Sequence, residues 1–250
     1  MRQTLQSCVF AVLGAMILAP VQARAQDDEA FTTDFRIENC TWAHNSQQNP
    51  FMRLTPGWRL VLAGEEDGED VDLQITVLRA KQRVVFTTPA GKRVSVLTRI
   101  VEERESVGGE LAEVSRNFFA LCRETGNAFY FGEVVDIYED GEIVDHSGGW
   151  RAGRNGAQPG VIMPGSFMLG ARYFQEQAPG VALDRAENVA MGETVETEAG
   201  TFHGCVRVEE TNALHPDEEG EEKVHCPGVG QVTDEDLELV EFGFVPPGQE

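Results

Sequence analysis

Acidic and basic residues interrupt several runs of β-forming residues, and these charged residues are the best placed to bind a ligand. The set comprises Glu103, Glu105, Arg116, Glu133, Asp136, Arg172, Glu176, Asp184 and Arg185. Alternate residues of a strand share a face, so Glu103 and Glu105 lie on the same side. Arginine and carboxylate groups that meet in a concavity can pair or bind a ligand. We therefore predict a polar ligand-binding patch, with a solvated outer face or an internal ion-pair network as the alternative.

Histidine and cysteine residues near the C-terminus offer a second kind of chemistry. His203, Cys205, His225 and Cys226 carry the nitrogen and sulfur ligands that zinc and copper prefer. Strand alternation puts His203 and Cys205 on one face but separates His225 from Cys226, so all four converge only with a bulge. The sequence favours the alternative, a disulfide with two ordinary surface histidines.

Four cysteines follow the first 25 residues, and this even number permits two disulfides in three connectivities. Cys205 and Cys226 lie on two extended segments joined by an acidic loop, as hairpin partners would. Their bridge leaves Cys40 to pair with Cys122. We predict this arrangement, although the cysteine count alone does not choose among the three.

Acidic segments could supply oxygen ligands to calcium at residues 65–72, 136–145 and 216–222. None matches the twelve-residue calcium loop, since Tyr138 and Ser147 stand at the third and twelfth positions of the nearest candidate. Weak surface binding of calcium is compatible with these segments, and we predict no other cofactor. A cation-binding protein is the first alternative function.

Catalytic motifs are absent from the sequence. There is no Gly-x-Ser-x-Gly nucleophile turn, and the glycine-rich middle lacks the Lys-Ser/Thr of a phosphate-binding loop. Two carboxylates could act as acid and base in a glycosidase, but 42 acidic residues guarantee chance pairs. We predict no catalytic residues, and an exported hydrolase of unrecognised type is the second alternative.

The charge of the chain limits its partners. Its formal net charge is −22, so nucleic acid and anionic membrane surfaces would repel it. Cations and basic partners remain possible. Solubility outside the cell is the simplest reason for such an excess of acidic residues.

The first 25 residues predict an export signal. Arg2 precedes an apolar run of eleven residues at 9–19, and the small-x-small sequence Ala23-Arg24-Ala25 follows. This order is typical of a secretory signal peptide cleaved near Ala25. The run is shorter than the roughly 20 residues that cross a bilayer as a helix. We expect a periplasmic or secreted protein with no stable membrane anchor after cleavage.

The rest of the chain, residues 26–250, predicts one all-β domain. Short runs of β-branched and aromatic residues alternate with turns that contain glycine, such as Glu66-Asp67-Gly68 and Glu139-Asp140-Gly141. This spacing is typical of an antiparallel meander, which would form an incomplete (half) barrel or two packed curved sheets. Residues 147–166 predict a long glycine-rich loop pinned by Trp150.

An internal duplication is a further hypothesis, with halves at about 51–146 and 167–243. Residues 88–91 and 197–200 are similar turns that each lead into a strand, and residues 138–144 resemble 233–240 in the same way. Similar turns can also recur by chance in any meander.

The segment V-H-C-P-G-V-G-Q-V at residues 224–232 resembles the closing-strand motif of exported bacterial β-proteins of unknown function. Those proteins are similar to the half-barrels of lipoprotein carriers, and residues 197–208 fit the same pattern. The resemblance implies a twisted sheet wrapped around a helix or an apolar ligand, and no catalysis. We therefore expect a binding protein whose partner is a small apolar or amphipathic ligand or another exported protein.

Overall fold

The computed structural model describes residues 31–44, 47–246 and 248, so the predicted signal peptide lies outside the described residues. One short 3-10 helix, Ile37–Asn39, precedes the strands. The strands are β1 Trp42–Ala43, β2 Trp58–Glu66, β3 Glu69–Thr87, β4 Arg93–Val107, β5 Glu110–Cys122, β6 Ala128–Glu139, β7 Glu142–Asp145, β8 Gln158–Met163, β9 Arg172–Phe174, β10 Glu176–Gln177, β11 Asp184–Thr197, β12 Gly200–Asn212, β13 Glu221–Cys226, β14 Gly230–Asp234 and β15 Leu237–Phe244. Among the described residues, no helix is long and apolar enough to cross a membrane.

Antiparallel pairing joins these strands into one sheet. The order is β10-β8-β6-β5-β4-β3-β2-β15-β14-β13-β12-β11-β9, with β1 added beside β5 and β7 beside β6. The sheet curls into a nearly closed barrel with one unsealed seam. The prediction of an all-β antiparallel meander is confirmed, and the sheet closes further than a half-barrel.

The two ends of the sheet are adjacent in the sequence, which explains the near closure. Arg172–Phe174 (β9) pairs with β11, whereas Glu176–Gln177 (β10) pairs with β8. Between them, the amide of Gln175 donates to the carbonyl of Asp184 at 2.8 Å. One short segment therefore contacts both ends of the sheet.

The prediction of a loop over residues 147–166 is wrong in its second half, because Gln158–Met163 forms β8. Gly160 explains the error. A Cβ at this position would lie 2.3 Å from the carbonyl oxygen of Phe174, so only glycine lets the two backbones approach. A glycine in a polar stretch is typical of a loop, but this one permits close strand packing. Trp150 is buried, as predicted, with 6% of its surface exposed.

Both predicted disulfides are present, Cys40–Cys122 and Cys205–Cys226. The first fastens the N-terminal segment to β5, where Trp42 packs edge-on against Phe129 and Phe131 at 5.4 and 5.1 Å between ring centroids. The second joins β12 to β13.

The similar turns of the two proposed halves occupy equivalent places in the strand order. In the first half, three strands, β4 to β6, lie between the turn at 88–91 and the turn near 140. In the second half, three strands, β12 to β14, lie between the turn at 197–200 and the turn near 235. Asp140 and Glu235 also share a left-handed backbone, with φ of 52° and 47°. The duplication itself stays a prediction.

Candidate ligand-binding site

A cavity of about 180 Å³ lies inside the barrel and has two chemically different walls. The apolar wall includes Leu60, Leu73, Ile75, Val77 and Val101. The polar wall includes Glu103, Asn117, Tyr130, Glu210, Lys223, His225 and Asp234. The barrel's own side chains therefore do not fill the interior.

Strand register explains how the two walls meet. Leu60 of β2 pairs with Ile75 of β3, and Ile75 pairs with Glu103 of β4. Paired residues on neighbouring strands share a face, so the row passes from apolar to acidic without leaving the interior. Glu105 is on the same face of β4, two residues further along.

The polar wall contains a hydrogen-bonded row of side chains from β4, β5 and β6. The hydroxyl of Tyr130 donates to Asn117 Oδ1 at 2.6 Å, and Asn117 Nδ2 donates to Ser115 Oγ at 3.2 Å. Asn117 Nδ2 also donates to Glu103, and the carboxyl group of Glu133 competes with Asn117 for the single hydroxyl proton of Tyr130. The row therefore runs Glu103, Asn117, Tyr130, Glu133.

The two carboxyl groups at the ends of this row are unusually easy to protonate. Burial raises the pKa of Glu103 to about 7, with a smaller opposing effect of Lys223. Burial likewise raises the pKa of Glu133 to about 7, and its hydrogen bond with Tyr130 opposes the shift. Near neutral pH each carboxyl can therefore donate or accept a hydrogen bond.

A further buried carboxyl group lies near Glu133. Glu176 is 2% exposed, and its Oε1 accepts the amide of Asp184 at 2.7 Å. Burial and the charge of Asp184 raise the pKa of Glu176 well above its usual value. Burial and the neighbouring carboxylate therefore favour the protonated form of Glu176.

Lys223 brings a positive charge to the polar wall. Its Nζ lies 3.2 Å from Glu210 Oε2, 3.4 Å from Asp234 Oδ1 and 3.9 Å from Glu221 Oε2. Burial disfavours the ammonium, but these three carboxylates outweigh burial and raise the pKa of Lys223 well above its usual value. Lys223 is therefore charged and surrounded by acidic groups.

His225 also lines the cavity, two residues after Lys223. Burial, helped by the charge of Lys223, lowers the pKa of His225 to about 4. Its ring is neutral at neutral pH.

The predicted ligand-binding residues divide between the two faces of the barrel wall. Glu103 lines the cavity. Glu133 and Glu176 lie close enough to the cavity residue Tyr130 for their charges to raise its pKa. The pKa of Glu105 is raised by burial and then by the charge of Asp234. The arginines instead belong to separate groups. Arg116 pairs with Glu102 and Asp136, Arg172 pairs with Glu187, and Arg185 donates to Thr211 and lies over the ring of Phe31. Glu103, Arg116, Glu133 and Arg172 thus do not form one patch.

Several cavity residues were missed from the sequence, namely Tyr130, Glu210, Lys223 and Asp234. The sequence around Lys223 could have indicated a buried ion pair, because this lysine stands in a strand among acidic residues and shares a strand face with Glu221. Its contact with Asp234 depends on the β13–β14 pairing, where the two residues are direct partners.

The alternative metal ligands occupy separate places. Cys205 and Cys226 are bonded to each other, His203 Nδ1 lies 3.0 Å from Thr194 Oγ1, and His225 lines the barrel cavity. Over the described residues, the one cluster of metal-ligating types within mutual reach is Cys40, Cys122 and Glu124, whose sulfurs form a disulfide. Calcium binding by the acidic segments stays a prediction.

In comparisons with known proteins, no family model, no curated protein and no solved structure matched the chain. The resemblance to lipoprotein-carrier half-barrels therefore stays a prediction.

Proposed function

We propose that this chain is an exported, non-enzymatic binding protein that holds a small amphipathic ligand inside the barrel. The observation that carries the proposal is the cavity lined by both apolar and polar side chains, where Leu60 and Ile75 adjoin Glu103 and Asn117. An apolar pocket with a few convergent polar groups and shifted pKa values is the usual form of a ligand site. The cavity volume of about 180 Å³ limits the enclosed part of the ligand to a short chain or a single ring.

The polar wall supports a ligand whose head group donates hydrogen bonds or carries positive charge. Glu103, Glu210 and Asp234 all face the cavity, and among these acids Lys223 is already engaged. Buried carboxyl groups that lack a matching cation destabilise a folded protein. A bound ammonium or hydroxyl group would offset that cost.

The two disulfides support the export part of the proposal. This protein has disulfides between Cys40 and Cys122 and between Cys205 and Cys226. Structural disulfides persist in oxidising compartments such as the periplasm or the exterior of the cell. We propose a periplasmic or secreted location on this basis together with the N-terminal sequence.

The proposal is tested by isothermal titration calorimetry with three six-carbon probes that differ only in the head group: 1-hexylamine, 1-hexanol and hexanoate. We expect saturable binding of 1-hexylamine, at least about tenfold tighter than hexanoate, a difference of roughly 1.4 kcal/mol. The apolar chain would lie along Ile75 and the amine would face Glu103.

Matched variants locate the binding. Ile75→Trp fills the cavity and should abolish binding of 1-hexylamine. Val85→Trp places the same ring on an exposed position of the same strand, where the side chain is 40% exposed, and should leave binding unchanged. Equal affinity in wild type and Ile75→Trp would contradict the proposal, as would an absence of saturable binding for every probe.

A further inference from the structure

A second cavity, of about 300 Å³, lies beside β6 and is distinct in composition from the barrel interior. We call it the loop cavity. It is lined by Glu133 and Val134 of β6, by Trp150, Arg151 and Arg154 of the glycine-rich segment, and by Val181. Its volume is at the lower end of the range of small-molecule sites, about 300 to 1,000 Å³.

Two arginines face the loop cavity in a chain that has 42 acidic and only 20 basic residues. Within the described ranges, neither Arg151 nor Arg154 has a carboxylate within 4 Å. The two guanidinium groups also influence each other, since burial and then the charge of Arg154 lower the pKa of Arg151. Like charges brought together without counter-charges favour the binding of an anion.

The segment that carries these arginines is fixed by backbone hydrogen bonds. Arg154 N donates to Arg151 O at 3.1 Å, and Ala157 N donates to Arg154 O at 2.8 Å. Gly153, with a φ of 83°, lies so close to the barrel that a Cβ would be 2.7 Å from Val85 O. The tight turn therefore fixes the backbone from which both arginines project, and preorganisation of the backbone lowers the cost of binding.

Trp150 gives independent support for a missing partner. It lines the loop cavity and is 6% exposed, yet its Nε1–H has no hydrogen-bond acceptor in the part of the chain that the structure covers. Buried donors are nearly always paired, so an unpaired one requires an explanation. An acceptor supplied from outside the chain is the explanation consistent with the adjacent arginines.

Glu133, which lines the loop cavity, and Asp136, which contacts the lining residue His146, are both engaged by other groups. The carboxyl group of Glu133 hydrogen-bonds Tyr130 and has a pKa raised by burial to about 7. Asp136 binds Arg116 at 2.8 Å and His146 at 2.9 Å. These groups therefore do not neutralise Arg151 and Arg154.

We propose that the loop cavity is a binding site for a small organic anion whose oxyanion group pairs with Arg151 and Arg154. Guanidinium groups recognise carboxylate and phosphate oxygens through paired, charge-assisted hydrogen bonds. Val134 and Val181, which are 39% and 44% exposed, supply an apolar wall for the rest of the ligand. The site is independent of the barrel interior and of the function proposed for it.

The test is a calorimetric titration of the full mature chain with inorganic phosphate and, separately, with hexanoate. We expect saturable binding of both, tighter for hexanoate because its chain contacts the apolar wall. Arg154→Gln should weaken binding about tenfold, and Arg151→Gln/Arg154→Gln should remove it, since charge-assisted hydrogen bonds are the stronger class. Arg93→Gln is the matched control, because Arg93 is exposed on β4 and its loss changes the net charge equally.

Arg151 packs over the ring of Phe118 at 5.0 Å, so its replacement could reduce stability. The exposed Arg154 avoids this difficulty and decides the result by itself. An equal loss of affinity in Arg154→Gln and Arg93→Gln would overturn the proposal, because it would show a general effect of charge. Loss of hexanoate binding in Ile75→Trp, with retention in Arg154→Gln, would place that probe in the barrel interior and would also overturn it.

Discussion

Glu102 and Glu103 are consecutive residues of β4, yet they occupy opposite chemical environments. On the outer face, Glu102 accepts hydrogen bonds from Arg116 at 3.0 Å and lies 3.7 Å from Arg104. On the inner face, Glu103 is partly buried beside Asn117, and loss of solvent contact raises its pKa to about 7. Two consecutive residues of the strand therefore differ in environment: Glu102 is an ion-paired carboxylate, and Glu103 is a carboxyl group whose ionisation is disfavoured by desolvation.

The difference indicates which face carries function. The outer network of Glu102, Arg116 and Asp136 satisfies its own charges and needs no ligand. The inner carboxyl groups are retained at a cost in stability, which is typical of groups that serve binding or catalysis. The charged residues of the outer face stabilise the fold by pairing with one another, and those of the inner face form the polar wall of the proposed site.

The largest expected effect comes from the cation of the inner face. Lys223→Met leaves Glu210, Glu221 and Asp234 without their shared partner, and we expect a loss of about 3 kcal/mol in the free energy of unfolding at pH 7. Urea denaturation followed by circular dichroism measures it. Lys81→Met, on an exposed position of β3, is the control and should change stability by less than about 0.5 kcal/mol. If Lys223→Met lowers the free energy of unfolding no more than the control does, the carboxylates of the inner face do not need Lys223 for stability.

The next prediction concerns the pH dependence of stability. The folded-state pKa of Glu103 is about 7 and its ordinary value is 4.5, so the folded protein binds more protons than the unfolded chain between these values. Stability therefore falls as pH rises from about 5 to 8. Glu103→Gln should remove part of this fall and stabilise the protein by about 1 to 2 kcal/mol at pH 8, with little effect at pH 4.5. Urea midpoints at the two pH values test it, and destabilisation at pH 8 would contradict it.

Glu102→Gln is the matched comparison, because we expect it to change the free energy of unfolding in the opposite direction to Glu103→Gln. Glu102→Gln removes the carboxylate that binds Arg116, and we expect it to destabilise the protein by about 0.5 to 1 kcal/mol at pH 8. The same urea titration at pH 8 is the measurement. Equal signs for Glu102→Gln and Glu103→Gln would remove the distinction between the two faces.

The smallest effect is expected at Asp136, and it is lost at acid pH. The hydrogen bond from Arg116 lowers the pKa of Asp136 below its usual value. The resulting stabilisation is present above the unfolded pKa of about 3.9 and is lost as pH falls through the lower folded value. Asp136→Asn should therefore lower the melting temperature slightly at pH 6, and by less as the pH falls toward 2.5. Thermal melts in both buffers test this, and a constant difference would show that the ion pair is not the cause.

The sequence was sufficient for the architecture and for parts of the site. Turns such as Asp140-Gly141 predicted the meander, and the spacing of Cys205 and Cys226 on hairpin strands predicted their disulfide. Alternation also placed Glu103 and Glu105 on one face. Each of these inferences depends on local chemistry that a short segment contains.

The remainder depends on contacts between distant segments. Which face of β4 points inward is set by its neighbours, and β5 shifts register against β6 between Asn117 and Phe119, so counting residues does not place Asn117 beside Tyr130. β8 was missed because Gly160 was interpreted as a loop residue. Arg116 and Glu133 lie on opposite faces because the pairing of β5 with β6 sets Arg116 opposite Val134 and Glu133 opposite Asn117.

The most direct test of the proposed interior site is to locate 1-hexylamine on the protein by nuclear Overhauser effects in solution. We predict contacts from the terminal methyl group of the probe to the methyl groups of Leu60, Ile75 and Val101, and from its amine-bearing carbon to Tyr130. Contacts confined to exposed aromatic residues such as Phe244, or none at saturating probe, would contradict a ligand site inside the barrel.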